Sequence, residues 1–175
     1  MTQPLVDIPT SIPADGSLKV LWVPEIADPA VPQQAELTAP SVVDLSCYLT
    51  DTGWQPSVNE EVSTDPRLCS RQVFERIGRF TDSLELTYVY QGQAPNAVDN
   101  KAFATLRHRE LGYIVTRWGA DYELPIEDGD IVDVYPAECG VQQKLAPEAN
   151  GRLRITQRIF IRGLVRRDAV VGGGS

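Results

Sequence analysis

Histidine is almost missing from this chain: His108 stands alone among 175 residues. Cysteine is scarce too, at Cys47, Cys69 and Cys139. An odd count with no C-x-x-C pair is no disulfide framework, and one histidine does not complete a usual zinc set. The three thiols therefore read as reduced, buried, small apolar side chains, which fits a reducing compartment. No stretch approaches the roughly 20 apolar residues of a membrane helix. The start, MTQPLVDIPTSIPADG, has neither the basic residues nor the apolar run of a signal peptide. Positive charge is in deficit, with a net charge of −8 and a pI near 4.6. That argues against a body that grips DNA, RNA or an anionic membrane, because phosphate binding needs a basic patch.

Catalytic signatures are missing as well. There is no Walker A loop, Rossmann glycine pattern, zinc motif or G-x-S-x-G elbow. His108 sits in Arg107-His108-Arg109, which reads as a cationic helix end that complements the dipole. Glu60-Glu61 reads as a solvated face, since no calcium-loop spacing surrounds it. Trp22, Trp54 and Trp118 fit core or interface packing better than ligand stacking. No catalytic, cofactor-binding or metal-binding residue is assigned, and an enzyme is the weakest reading.

What is present is strand pattern. The length suits one domain, with 42% hydrophobic and 23% charged residues. Residues 1–17, rich in proline and polar spacers, read as an extended arm, and 18–168 as a single β domain. LKVLWV (18–23) is the first strand candidate. Asp28-Pro29 has the form of a helix start, and 32–37 allow one or two helical turns before Pro40. SVVDLSCYL (41–49) alternates with period two. Residues 50–68 break the pattern and read as a long polar loop, a type of segment that is usually functional. CSRQVFERI (69–77) and RFTDSLELTYVYQ (79–91) read as two strands joined at Gly78, a tight turn or bulge. Asp99 caps a short helix over NKAFATLRHR. GYIVTRW (112–118), DIVDVYPAEC (130–139) and GRLRITQRIFIRGLV (151–165) complete the strands, the last being the longest. Residues 169–175, ending in GGGS, read as a flexible tail. The sum predicts a mainly β architecture: a sandwich with one short helix at its side.

Two strands ask for partners. In SLELTYVYQ, Leu84, Leu86, Tyr88 and Tyr90 share one side, while Ser83, Glu85 and Thr87 share the other. No proline or lysine blunts this run, and a long open strand is a template for another chain. In the last strand Leu153, Ile155, Gln157, Ile159 and Ile161 share a face, opposite Arg152, Arg154, Thr156, Arg158 and Arg162. A basic stripe in an acidic protein is expected to pair with carboxylates such as Glu75 or Glu85. Joining that closes around an axis makes a barrel without edges, and contacts that do not close propagate as a filament.

The stretches IADPAVPQQAEL, DLSCYLTDTGWQPS, DPRLCSRQVFERIGRFT, LELTYVYQ, GYIVTRWG, GDIVDVYPAECG and GRLRITQRIF occur in that order. Together they are similar to the major tail, or tail tube, proteins of long-tailed bacteriophages of the siphophage type, particularly those infecting actinobacteria. The resemblance implies a sandwich flanked by a helix, in subunits that form hexameric rings stacked into a hollow tube. Strands of each subunit join an inner β-barrel, and double-stranded DNA passes through it without specific binding. It implies no catalytic residues and no cofactor. It implies other copies of the chain, a tape measure protein, and tail terminator and tail-tip proteins as partners. The location implied is the virion tail, assembled in the host cytoplasm without a membrane. Glu75, Ser83, Glu85 and Thr87 are expected to face the lumen. Trp54, Glu60, Glu61, Asp65, Arg152, Arg154 and Arg158 are expected at contacts between subunits or rings. Two other readings are a single-ring tail terminator or head–tail connector and a free-standing β-sandwich binding module.

Overall fold

The structure, a computed structural model, describes residues 8–174. It is mainly antiparallel β, as the alternating sequence requires. The strands are β1 (Leu18–Val23), β2 (Val43–Asp44), β3 (Leu49–Thr64), β4 (Glu75–Val89), β5 (Leu111–Trp118), β6 (Ile131–Lys144), β7 (Arg154–Ile161) and β8 (Arg166–Val170). Two short helices, α1 (Gln34–Leu37) and α2 (Lys101–Thr105), flank them. One continuous open sheet runs β2-β1-β5-β6-β7-β4-β3, and β8 pairs with the start of β6.

The sheet folds over so that its two halves share one core. Val20 and Trp22 of β1, Ile114 of β5, Leu84, Leu86 and Tyr88 of β4, and Ile155 and Ile159 of β7 lie together in it. A second core lies on the other face of β1, β5 and β6, where Leu21, Val115, Val132 and Val134 meet Ile26, Leu37 and Ile126. Alternation along a strand sends neighbouring residues into different cores, as Val20 and Leu21 show. Two side-chain amides, buried Gln157 and half-buried Gln142, close the first core. Tyr88 donates its hydroxyl to Gln157 Oε1 (3.0 Å), and Gln142 Nε2 donates to Tyr88 Oη (2.8 Å) and the Phe103 carbonyl (3.0 Å). Gln157 Nε2 donates to the carbonyls of Leu106 (2.8 Å) and Gly140 (2.9 Å). These bonds tie the α2 segment to the sheet while leaving no buried amide wasted.

Several elements differ from expectation. Residues 50–64 are strand, not loop: β3 pairs with β4 over nearly its whole length, so its backbone polar groups need no loop. The turn falls at 65–74, and 69–74 are not strand. Gly78 lies inside β4 at a bulge, where a Cβ would come within 2.7 Å of the Glu61 carbonyl. Of 41–49, only Val43–Asp44 is strand, because Asp44 Oδ1 accepts from Ser46 N (2.9 Å) and the chain turns through 45–49. The helix is confined to Lys101–Thr105 after a 3-10 turn at Val98–Asn100, and buried Asn100, not Asp99, anchors it by bonds to Gln91 and Ala94. The last run is an eight-residue strand, shorter than β6.

The termini split. Residues 8–13 are exposed and without regular structure, and residues 1–7 of the expected arm lie outside those described. The expected flexible tail is instead strand β8 through Val170. Val171 is buried, and the backbone of Gly172 exchanges hydrogen bonds with Pro32 and Gln34.

Candidate assembly surface

Strands β6, β7, β4 and β3 make a four-stranded stretch with two unlike faces. Leu84, Leu86, Tyr88, Ile155 and Ile159 face the core. Ser83, Glu85, Thr156 and Arg158 face away from it. Register places Gln55 across from Glu85 and Glu85 across from Arg158, while Thr156 donates to Glu85 Oε1 (2.9 Å). Ser57 and Ser83 hydroxyls meet at 3.4 Å on the same face. The arginines are mostly engaged: Arg154 pairs with Glu148 at 2.9 Å and Arg162 with Glu138 at 3.2 Å. Arg158 lies over the Phe160 ring, 5.0 Å from its centroid. Carboxylate pairing of this stripe was expected, but the partners are mainly Glu148 and Glu138 rather than Glu75.

Both edges of this stretch are open. β3 is the last strand of the sheet, with β4 on one side only. β5 leaves β6 after Glu138, so β6 continues to Lys144 with a strand on one side only among the described residues. Long unpaired rows of backbone N–H and C=O groups invite strand pairing with another chain.

Beyond the body, β3 and β4 continue as a two-stranded ribbon in which almost every residue is exposed. Its two faces are chemically distinct. Pro56, Val58, Glu60 and Val62 share a face with Phe80, and the bulge at Gly78 and Arg79 sets Ile77 and Glu75 on that face too. Gln55, Ser57, Asn59, Glu61 and Ser63 take the other. Val58, Val62, Ile77 and Phe80 are between 52% and 82% exposed. An isolated two-stranded hairpin is marginal in water, and apolar side chains are not placed on one without a partner at little cost. At the ribbon's base Arg167 of β8 pairs with Asp82.

The expected site residues therefore divide. Ser83 and Glu85 lie on the exposed polar face, whereas Thr87 on that face is 8% exposed. Glu75 is on the same strand as Glu85, not a neighbouring one, and the bulge turns it to the apolar face. Trp54 is half-buried and packs against the core, edge-on to Tyr135 at 5.7 Å. Glu60 and Glu61 are exposed on opposite ribbon faces, Asp65 pairs with Arg67 at 2.7 Å in the turn, and Arg152 is exposed before β7. Of the cysteines, Cys139 alone is buried, and its thiol is pushed up to about 12 by burial; Cys47 and Cys69 are exposed. What the sequence reading missed is the ribbon's apolar face: Val58 and Val62 alternate within the stretch taken for a loop.

Charge is also unevenly placed. No lysine or arginine occurs between Lys19 and Arg67, nor between Arg117 and Lys144. The cations that reach the 121–130 segment come from β1 and β5: Lys19 Nζ donates to the carbonyls of Tyr122 (2.8 Å) and Leu124 (3.3 Å), and buried Arg117 pairs with Asp130 at 3.0 Å. Among the described residues no group of histidines, cysteines and carboxylates is placed to hold a metal ion, and no helix is long and apolar enough to cross a membrane.

A family model described as phage tail tube protein matches residues 6–174. Among solved structures, the fold is similar to a chain in the cryo-EM structure of the anti-feeding prophage (AFP) baseplate, 6-fold symmetrised. The TM-score is 0.52 at 14% identity, over 95% of this chain and 96% of that one. No curated protein matches the sequence.

Proposed function

The chain belongs to the phage tail tube protein family, and from that premise we propose that copies of it close into hexameric rings that stack into the hollow tube of a virion tail. Its role in this reading is structural rather than catalytic. The observation that carries the reading is the pair of open edges on the four-stranded stretch. The outer edge of β3 in one copy pairs with the free edge of β6 near Lys144 in the next, and repetition around an axis removes every edge. Sixfold closure is supported by the 6-fold symmetrised assembly that contains the similar fold.

Closure in this sense turns the polar face inward. Gln55, Ser57, Ser83, Glu85 and Thr156 then line the lumen, with Arg158 among them. Arg154 and Arg162, already paired with Glu148 and Glu138, and Arg158, stacked on the Phe160 side chain, offer little to DNA phosphates, so each ring of subunits adds little grip. A duplex slides past such a wall rather than binding it. A tape measure protein occupies the lumen during assembly, and terminator and tip proteins close the two ends. The siphophage type and an actinobacterial host rest on the sequence stretches quoted above.

Negative-stain electron microscopy of the purified protein over a concentration series, with sedimentation velocity, tests this. Hollow tubes or stacked rings are the expected result. Single rings at all concentrations point instead to a terminator or connector. A monomer that stays monomeric even with a tail-tip complex added points to a binding module and refutes the tube.

A further inference from the structure

The apolar face of the ribbon needs a cover, and the chain carries a surface that fits it. A groove of about 570 Å³ lies where β5 and β6 meet the turn after β7, lined by Pro24, Leu111, Tyr113, Pro136, Leu164 and Arg166. Leu111 and Leu164 are 61% and 60% exposed there. Arg162 also borders it, already paired with Glu138, whereas Arg166 makes no ion pair among the described residues. Glu25 is the one carboxylate of the lining. The ribbon face offers the complement: Val58, Val62, Ile77 and Phe80 for the apolar walls, and Glu60 and Glu75 for the arginines.

The two surfaces do not meet within one copy. Arg167 pairs with Asp82 and lies beside Val58, Glu60 and Phe80 of its own copy's ribbon, whereas Arg166 borders the groove with Leu111 and Leu164. A contact between unlike patches of two copies is heterologous, and it continues from copy to copy instead of stopping at a pair. We propose that the groove at Leu111, Leu164 and Arg166 receives the apolar face of another copy's ribbon, with Glu60 set against Arg166. This rests on the tube reading and names the partner surface within it. The ribbon carries the attachment, and the groove fixes where it lands.

The test uses the full chain with Cys47→Ser and Cys69→Ser, assembled and inspected by electron microscopy. One preparation carries Val62→Cys, a second Leu164→Cys, and the two are mixed before assembly under a mild oxidant. A covalent pair between the two preparations, at least ten-fold above a control mixture of Ser57→Cys with Leu164→Cys, is expected, since Ser57 lies on the opposite ribbon face. Alongside, Glu60→Arg and Arg166→Glu each reduce assembly ten-fold or more, and the double variant restores it. Tubes that form normally without the specific cross-link, or single charge variants that assemble as wild type, overturn the groove assignment and leave the tube reading standing. Absence of any assembly by the Ser-substituted parent, confirmed with the unsubstituted chain, removes both.

Discussion

The body and the ribbon are made of the same two strands, yet they live in different solvents. In the body, β4 contributes Leu84, Leu86 and Tyr88, each at most 1% exposed. A few residues earlier, the same face presents Phe80 and, across the bulge at Gly78 and Arg79, Ile77 to water at 52% and 82%. One face runs from body to ribbon; what changes is whether the chain itself supplies the cover. The lesson is that amphipathic alternation specifies a buried face without specifying whose atoms bury it. In the body the answer is the same molecule. In the ribbon, on the reading proposed above, it is another copy.

Substitutions sharpen this contrast by separating stability from assembly. Leu86→Ala in the body removes a fully buried side chain and should cost about 2–5 kcal/mol in a urea unfolding curve of the monomer. Arg117→Met should cost on the order of 2 kcal/mol. Arg117 is buried and donates to the carbonyls of Asp121, Leu124 and Pro125 and to Asp130 Oδ2 (3.0 Å), so it holds the 121–130 segment over the second core. High pH gives a graded version. Burial raises the Cys139 thiol to about 12 and raises the Tyr88 phenol further, against ordinary values of 9.0 and 10.0. Both groups are held neutral only when folded. Their contribution is complete below pH 9 and declines as the unfolded chain ionises first, so the melting temperature should fall progressively from pH 9 toward 12. At the small end, Val62→Ser in the ribbon should change monomer stability by no more than about 0.5 kcal/mol. It should nevertheless suppress assembly in sedimentation velocity, and a ribbon variant that instead destabilised the monomer would erase the distinction.

Much of the body was legible from sequence because its pattern is local. LKVLWV and GYIVTRW alternate between two cores and became β1 and β5 within a residue of their expected limits. The inward set of β7, Ile155, Gln157 and Ile159, is buried as read. The ribbon was not legible because polar residues dominate both its edges. Pro56, Ser57, Asn59, Glu60 and Glu61 carry little strand propensity, and it is pairing with β4 that extends them. The turn was misplaced to Gly78 because a glycine between two β-rich runs looks the same whether it reverses the chain or absorbs a bulge. The C-terminus was missed for a related reason. Arg166–Val170 has a mixed pattern, since Asp168 takes a positive φ and binds Asp133 Oδ1 through its backbone N–H (2.8 Å), interrupting the alternation. The lumen set suffered from the same bulge: Glu75 and Glu85 are an even number of residues apart but lie on opposite faces.

The central claim is that the outer edge of β3 is a joint between copies. Hydrogen exchange followed by mass spectrometry measures it directly, comparing monomer with assembled material over residues 49–64. The account predicts that amides of β3 facing away from β4 exchange quickly in the monomer and become protected on assembly, together with amides of 140–144 in β6. Unchanged exchange along β3 in material that electron microscopy shows to be assembled would contradict it.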